Sequence, residues 1–296
     1  LVGQGVELGN ANAELLCFLE KGDIPAGRRM LGLSALSSEH RLNMGMLGMH
    51  GNLAPNLKQQ EADVVIAIGM RFSDRVTGNL KTYLKQAKVI HLDIDNAEID
   101  KNVKADIAIV ADCKESLPAL TELIRKRAHT EWIESFKPLA ETERSRVIER
   151  AIHPTDGPLL MGEVAHVVSE VTNGMGVTVT DVGQNQLFTT RYSKFNTPRS
   201  IITSGGLGTM GYGLPAAIGA TFAEKNRPVC VFKGDGGLQM VIQDFGTIME
   251  YQCPVKIILM NNNFLGNVRQ WQNMFFNKRY AFTHMMNPDY ESISKG

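Results

Sequence analysis

The sequence predicts an α/β protein built from two Rossmann-like parallel-sheet domains, on three observations. Apolar runs that end in Gly or Asp recur: DVVIAIG (63–69), KVIHLDID (88–95), DIAIVAD (106–112), GVTVTDVG (176–183), and VCVFK leading into GDGG (229–237). Continuous apolar strands belong to sheets covered on both faces, and strand ends of this kind face ligands there. Helix-period segments lie between the runs, so right-handed strand–helix–strand crossovers are the natural connections. A charged tract, from EWIESF to ETERSRVIER, separates two such alternations.

In chain order, LVG (1–3) is a strand end and Asn10–Glu20 a helix with Leu15, Leu16, Phe18 and Leu19 inward. Strands at 63–69, 88–95 and 106–112 precede a helix over Lys114–Ala128. Residues 129–155 read as an exposed helical connector, a solvated charged face. A helix over Leu159–Val171 leads to the strand 176–183 and a Gly-rich stretch, 205–220. The strand 229–233, a crossover helix over Gln239–Tyr251, the strand 255–260 and a helix from Leu265 to Phe275 complete the pattern. The expected domains are therefore 1–128 and 155–296, with a linker at 129–154.

A length of 296 residues leaves room for two domains, each with its own core. The formal net charge is zero, which argues against nucleic-acid or anionic-membrane partners. No apolar run is long enough to span a bilayer, and the opening LVGQGVELG lacks the form of a signal peptide. Cys17, Cys113, Cys230 and Cys253 have no CxxC spacing and lie in or beside predicted core elements. Buried free thiols and a reducing cytoplasm are expected. The chain starts inside an apparent strand without Met and stops at SISKG, as a piece of a longer polypeptide would.

The chemistry concentrates between Gly234 and Asn262. Parallel strands joined by a crossover end on the same sheet edge, so Asp235 and Asn262 meet there. Mg²⁺ prefers hard oxygen donors; a carboxylate and an amide oxygen supply two, and phosphate, a backbone carbonyl and water can complete the shell. Gly236 and Gly237 let backbone N–H groups approach a phosphate at a helix start. GDG alone is also an ordinary turn; GDG followed by a crossover and then NN points to a metal-held diphosphate.

Several stretches in fixed order carry a family resemblance: LGMHGN (47–52), GMRFSDRVTG (69–78), HLDID (91–95), TDVGQNQ (180–186), TSGGLGTMGYGLPAAIGA (203–220), GDGG (234–237) and NNNFLGNVRQWQ (261–272). Together they resemble the FAD-containing acetohydroxyacid synthases, the large catalytic subunits of acetolactate synthase. The resemblance implies a thiamine diphosphate (ThDP) enzyme's central domain followed by its diphosphate-binding domain. Asp235, Asn262 and the Phe264 carbonyl match Mg²⁺ ligands. Val182, Gly183, Gln184, Asn185, Gly208, Met210, Gly236, Gly237, Leu265 and Gly266 match ThDP contacts, with Asn185 where a His is usual. Met210 matches the apolar prop that bends ThDP, Trp271 a wall of the second-substrate pocket, and Arg75 an arginine near that pocket. FAD contacts would come from Gly3, Gly5, Met49, His50, Gly51, Arg71, Asp74, Arg75, Asp93, Ile94, Asp112 and Cys113.

The implied reaction decarboxylates pyruvate and joins the two-carbon unit to pyruvate or 2-ketobutyrate, a step of branched-chain amino-acid biosynthesis. The glutamate that activates ThDP in this family belongs to an N-terminal pyrimidine-binding domain with no counterpart here, so this segment alone is expected to be inactive. In the family that glutamate comes from a neighbouring subunit, which implies a homodimer or tetramer; a small regulatory subunit is a further partner of such enzymes. Glyoxylate carboligase and pyruvate oxidase are the alternatives within flavin-containing ThDP enzymes. From another class, a nucleotide-binding oxidoreductase is disfavoured because no GxGxxG follows a first strand.

Overall fold

A computed structural model of the chain describes residues 1–295, and every strand pair in its sheets is parallel. The α/β class predicted from the sequence is the class observed. By contacts the chain divides into two units: Leu1–Met175 with Thr190–Ser200, and Gly176–Thr189 with Ile201 onward.

In the first unit β1 (Ala26–Arg28) pairs with β2 (Asn43–Met46), and β3 (Val64–Ile68), β4 (Lys88–Asp93) and β5 (Ile107–Val110) pair in that order. Val2 bridges both Arg28 and Ile68, so the expected LVG strand joins the pair to the trio. The order thus reverses beside Val2, the kind of switch point at which open α/β sheets hold ligands. Gly3, Gly5 and Gly69 sit there. The Gly5 N–H donates to the Gly69 carbonyl at 2.8 Å, and a Cβ on Gly5 would lie 2.6 Å from the Gly69 Cα. Backbone crossing alone therefore requires glycine at these positions.

Helices Asn12–Gly22 and Cys113–Leu123 cover this sheet. Leu15, Phe18, Leu19 and Leu117 pack with Val2, Ile68 and Leu92 into one buried cluster. Each such side chain contributes about 1.5–3 kcal/mol by leaving water. Cys17 departs from expectation: it is exposed, whereas Cys113, Cys230 and Cys253 are buried. Its helix buries one stripe, formed by Leu15, Phe18 and Leu19, and Cys17 falls outside that stripe. β5 also differs from a strand covered on both faces. It is an edge strand with Ile107 and Val110 exposed.

The charged tract folds into short helical pieces, Thr130–Glu134, Lys137–Glu143, a π-turn at Arg144–Ile148, and Glu149–Ile152. Most of its charges are solvated, but Phe136 and Glu143 are buried. Helix Met161–Val171, expected with the second domain, groups with the first unit. Its Ser169 Oγ accepts the Lys194 N–H at 2.7 Å, and Lys194 lies in the Thr190–Ser200 segment of the same unit.

The second unit holds β6 (Val177–Thr180), β7 (Ile201–Thr203), β8 (Val229–Gly234) and β9 (Val255–Met260) in the order β7-β6-β8-β9. Strand order reverses at β6, which places a second switch point at the carboxyl ends of β6 and β8. Val179, Val231, Leu214, Ala217 and Leu238 form the core beneath it. The expected Gln239–Tyr251 helix is broken: a short helix spans Asp235–Gln239, and helix Phe245–Tyr251 follows a 3-10 turn. Val241, at φ −139°, interrupts the helical path. Val241, Phe245 and Ile248 pack on the core while Met240 and Met249 are exposed.

Candidate functional site

β8 and β9 run in register with Gly234 opposite Met260, so Asp235 and Asn261–Asn262 leave the sheet side by side. Asp235 is only 2 % exposed. Its Oδ1 accepts the Gly236 N–H at 3.0 Å, and its Oδ2 accepts the Asn263 N–H at 2.7 Å. Asn262 Oδ1 accepts the Phe264 N–H at 3.1 Å, while its Nδ2 reaches Gln184 Oε1 at 3.4 Å. Gln184 opens helix Gln184–Tyr192 directly after β6 and also donates to Gln270 Oε1 at 3.0 Å. Gly266 packs against Gln184 so closely that a Cβ would overlap the amide. The predicted ends of β6, β8 and β9 therefore converge.

Two glycines mark open space at this edge. Gly183 and Gly208 have φ of +114° and +65°, and a Cβ on either would find its nearest neighbour only at 3.8 Å and 3.9 Å. Left-handed backbone beside open space is suited to close approach of a ligand to N–H groups. Asn185 is buried nearby. Its Nδ2 donates to the Val182 carbonyl at 3.1 Å, and its Oδ1 has no protein partner. A buried polar atom without a protein partner calls for water, an ion or a ligand.

Met210 is half-buried in the turn before helix Gly213–Ala223, and the next N–H, of Gly211, donates to Asp181 Oδ1 at 2.9 Å. Trp271 lies on helix Gly266–Phe275, 40 % exposed, with its ring tilted on Phe275 at 5.1 Å. Phe264 bridges His284, and Arg269 stacks over its ring at 4.2 Å. Leu265 precedes the same helix, with a methyl 3.4 Å from the Cβ position of Gly236.

Sequence reasoning missed Asn287, Tyr290, Asp181 and Lys233. Asn287 Nδ2 lies 2.8 Å from Asp235 Oδ2, 2.8 Å from Asn261 Oδ1 and 2.9 Å from Asn263 Oδ1. Its own Oδ1 accepts from Gln239 Nε2 at 2.6 Å, and the Tyr290 hydroxyl donates to the Asp235 carbonyl at 3.0 Å. One amide thus orients the carboxylate and both flanking asparagines. Lys233 and Asp181 form an ion pair with both side chains 0 % exposed. Burial pulls the Lys233 ammonium below its ordinary value against the opposing attraction of Asp181. A lysine closing an otherwise apolar parallel strand was the available signal, because buried charges are paired.

In the first unit, Arg71, Asp74 and Arg75 follow β3, Asp93 and Ile94 end β4, and Asp112 and Cys113 follow β5, all at the carboxyl edge of that sheet. Arg75 and Asp74 form an exposed pair at 3.5 Å, and the Arg75 carbonyl accepts the Met49 N–H at 2.8 Å. Arg71 is exposed, and its carbonyl accepts from Arg29 Nη1 at 2.7 Å. Asp112 caps the helix through the Lys114 N–H at 2.7 Å. The Cys113 thiol is buried in the core, and burial raises it to about 12, so it is inert as a nucleophile. Arg191 Nη1 donates to the carbonyls of His50 at 3.0 Å and Gly51 at 2.7 Å, while its Nη2 pairs with buried Glu143. Burial, with Arg191 and Arg75 adding to it, keeps His50 below its ordinary value and hence neutral at pH 7.

Comparison with known proteins agrees with this layout. A family model described as thiamine pyrophosphate enzyme, central domain, matches residues 1–120, and one described as the C-terminal TPP binding domain matches residues 181–296. The chain belongs to the thiamine pyrophosphate enzymes. Within that class it is homologous to acetolactate synthase large subunits. It is 42 % identical over 292 residues to a probable acetolactate synthase large subunit of Methanococcus aeolicus, covering 94 % of this chain and 49 % of the relative. Identity is 40 % over 280 residues with the acetolactate synthase large subunit of Lactococcus lactis, covering 94 % and 48 %. It is 41 % over 293 residues with the isozyme 2 large subunit of Escherichia coli, covering 98 % and 52 %. The chain spans about half the length of these relatives.

Proposed function

We propose that the complete polypeptide is a ThDP- and Mg²⁺-dependent acetolactate synthase, with this chain supplying its central and diphosphate-binding domains. The observation that carries the proposal is the meeting of Asp235, Asn262 and the Gly183 turn at one sheet edge. Among the described residues no group of three or more His, Cys, Asp or Glu side chains could hold a metal ion. One carboxylate, one amide oxygen and the Phe264 carbonyl make a partial oxygen shell, which suits a cation shared with a diphosphate. The positive-φ glycines Gly183 and Gly208 and the orphan Asn185 Oδ1 fit a group seated between these turns.

When bound, ThDP supplies the electron sink for decarboxylating one 2-oxoacid and joining its two-carbon unit to another. The protein's share is position and charge. Asp235, Asn262 and Phe264 would hold the cation; Val182–Asn185 and Gly236–Gly237 would hold the diphosphate; Leu265, Gly266 and Gly208 would close around it. Met210 would brace the cofactor's apolar part. Trp271 would shape the acceptor pocket, where one extra methylene is worth about 1–3 kcal/mol, and Arg75 would pair with a substrate carboxylate.

FAD is proposed for the first unit, along the carboxyl edge of β3–β5. The exposed Arg71, Asp74, Arg75 and Ile94, the half-buried Asp93 and the 49–51 turn leave that edge accessible. Among the described residues no helix is long and apolar enough to cross a membrane. Cytoplasmic location, a homodimer or larger assembly, a small regulatory subunit, and domains at 1–128 and 155–296 with a 129–154 linker belong to the same proposal.

The direct test is carboligation by the complete polypeptide with pyruvate, 2-ketobutyrate and glyoxylate. Acetolactate formed only with ThDP and Mg²⁺ is expected, whereas a glyoxylate-only product or ThDP-independent turnover would reject the assignment. Asn287→Ala is expected to weaken Mg²⁺-dependent ThDP binding by roughly tenfold, since a buried carboxylate loses one charge-assisted donor. Titration calorimetry would show it, and unchanged affinity would mean that Asn287 only closes the loop.

A further inference from the structure

Beneath the diphosphate turns lies a carboxylate that no ligand role accounts for. Asp181 directly follows β6 and its side chain is 0 % exposed. Its Oδ1 accepts N–H bonds from Val182 at 2.8 Å and Gly211 at 2.9 Å, and its Oδ2 accepts from Gly213 at 3.3 Å. A Cβ on Gly237 would lie 2.7 Å from Asp181 Oδ1. One buried carboxylate therefore touches the turn after β6, the turn that carries Met210, and the glycines after β8. Such a hub orders three loops at once, but it also sets a negative charge directly under a cradle meant for an anion. Lys233, one residue before Gly234 on the neighbouring strand, places its ammonium on Asp181 Oδ2.

We propose that Lys233 is a positioning residue for the diphosphate site: by neutralising Asp181 it lets that carboxylate organise the anion-binding turns without repelling the anion. The role rests on the diphosphate site proposed above. Inside a protein an uncompensated charge acts over several ångströms with little screening. Removing one partner of a buried pair leaves the other uncompensated, whereas removing both leaves none.

The test uses the complete polypeptide and titration calorimetry with thiamine diphosphate and thiamine monophosphate at saturating Mg²⁺. Lys233→Met is expected to weaken thiamine diphosphate by roughly tenfold or more, with a smaller loss for the monophosphate, because the penalty grows with ligand charge. The pair Asp181→Asn with Lys233→Met keeps an amide oxygen for Val182 and Gly211, and should return affinity to within about threefold of the parent. Equal losses for both ligands, unchanged affinity in Lys233→Met, or a folded double variant as weak as the single one would each overturn the role. If Lys233→Met does not fold, the folded double variant decides alone: affinity within about threefold supports neutralisation, and a loss of about tenfold refutes it. Asp235→Ala serves as the control. Parent-like binding by that variant would instead remove the diphosphate site itself.

Discussion

Asp235→Ala is expected to abolish Mg²⁺-dependent ThDP binding, with a loss of at least about 100-fold, or roughly 3 kcal/mol. The carboxylate is the one charged donor proposed for the cation, and an amide oxygen with a backbone carbonyl cannot replace it for a hard divalent ion. Its burial increases the effect, because a water molecule entering the vacated space brings no charge. The same change takes from the Asn263 N–H and the Asn287 amide their one charged acceptor, leaving the amide Asn261 Oδ1 and Asn263 Oδ1, so a modest fall in thermal stability should accompany it. Asp235→Asn separates the two effects. It keeps an oxygen for one of those donors while removing the charge, so stability should recover more than affinity does. Calorimetric titration with and without Mg²⁺ measures the first quantity and thermal melting the second. Affinity in Asp235→Ala within about threefold of the parent would show that the cation is held elsewhere.

This site was legible from the sequence because its chemistry sits at strand ends. Gly234–Gly237 and Asn261–Asn262 follow apolar strands whose type is plain, and a parallel crossover brings such ends together without any knowledge of the core. The strands of the first unit were uneven in this respect. β3 and β4 announce themselves through β-branched runs, whereas AGR and NMGM, which form β1 and β2, have no β pattern and become strands only through pairing with each other and with Val2. The hidden part of the site is long-range. Nothing near Asn287 marks it as the partner of a carboxylate 52 residues earlier, and the Asp181–Lys233 pair spans the same separation. Tertiary pairing of polar groups follows the packing of the sheet, and no local periodicity records it. Gly3 and Gly5 show the opposite case. The resemblance assigns them to a flavin-binding turn, an expectation the structure does not need, since the approach of the Gly69 backbone explains them without any ligand.

Glu143→Ala is expected to destabilise the first unit by about 2–4 kcal/mol, toward the lower side of what breaking a buried ion pair costs because Arg191 keeps some access to water. Glu143 joins three parts of the chain. Its Oε1 pairs with Arg191, its Oε2 accepts the Leu53 N–H at 2.8 Å, and Arg191 in turn holds the carbonyls of His50 and Gly51. Loss of the carboxylate leaves a mostly buried guanidinium and a backbone N–H short of a partner, and it frees the 48–53 turn from its clamp. The melting temperature of the complete polypeptide should fall by roughly 5–15 °C. Glu143→Gln retains an acceptor for Leu53 and should lose less. Arg191→Met should be costly alone but add little to Glu143→Ala, because the two share one interaction and a double-mutant cycle then gives a coupling of about 1–3 kcal/mol. Strictly additive losses would show that the two residues act separately. The clamp also bears on the proposed flavin, since Met49, His50 and Gly51 belong to the turn it fixes. Flavin absorbance in purified Glu143→Ala should therefore drop at temperatures where the protein is still folded, while Mg²⁺-dependent ThDP affinity stays near the parent value. A variant that melts early yet keeps its full flavin content would confine Glu143 to stability and remove this turn from the cofactor's contacts.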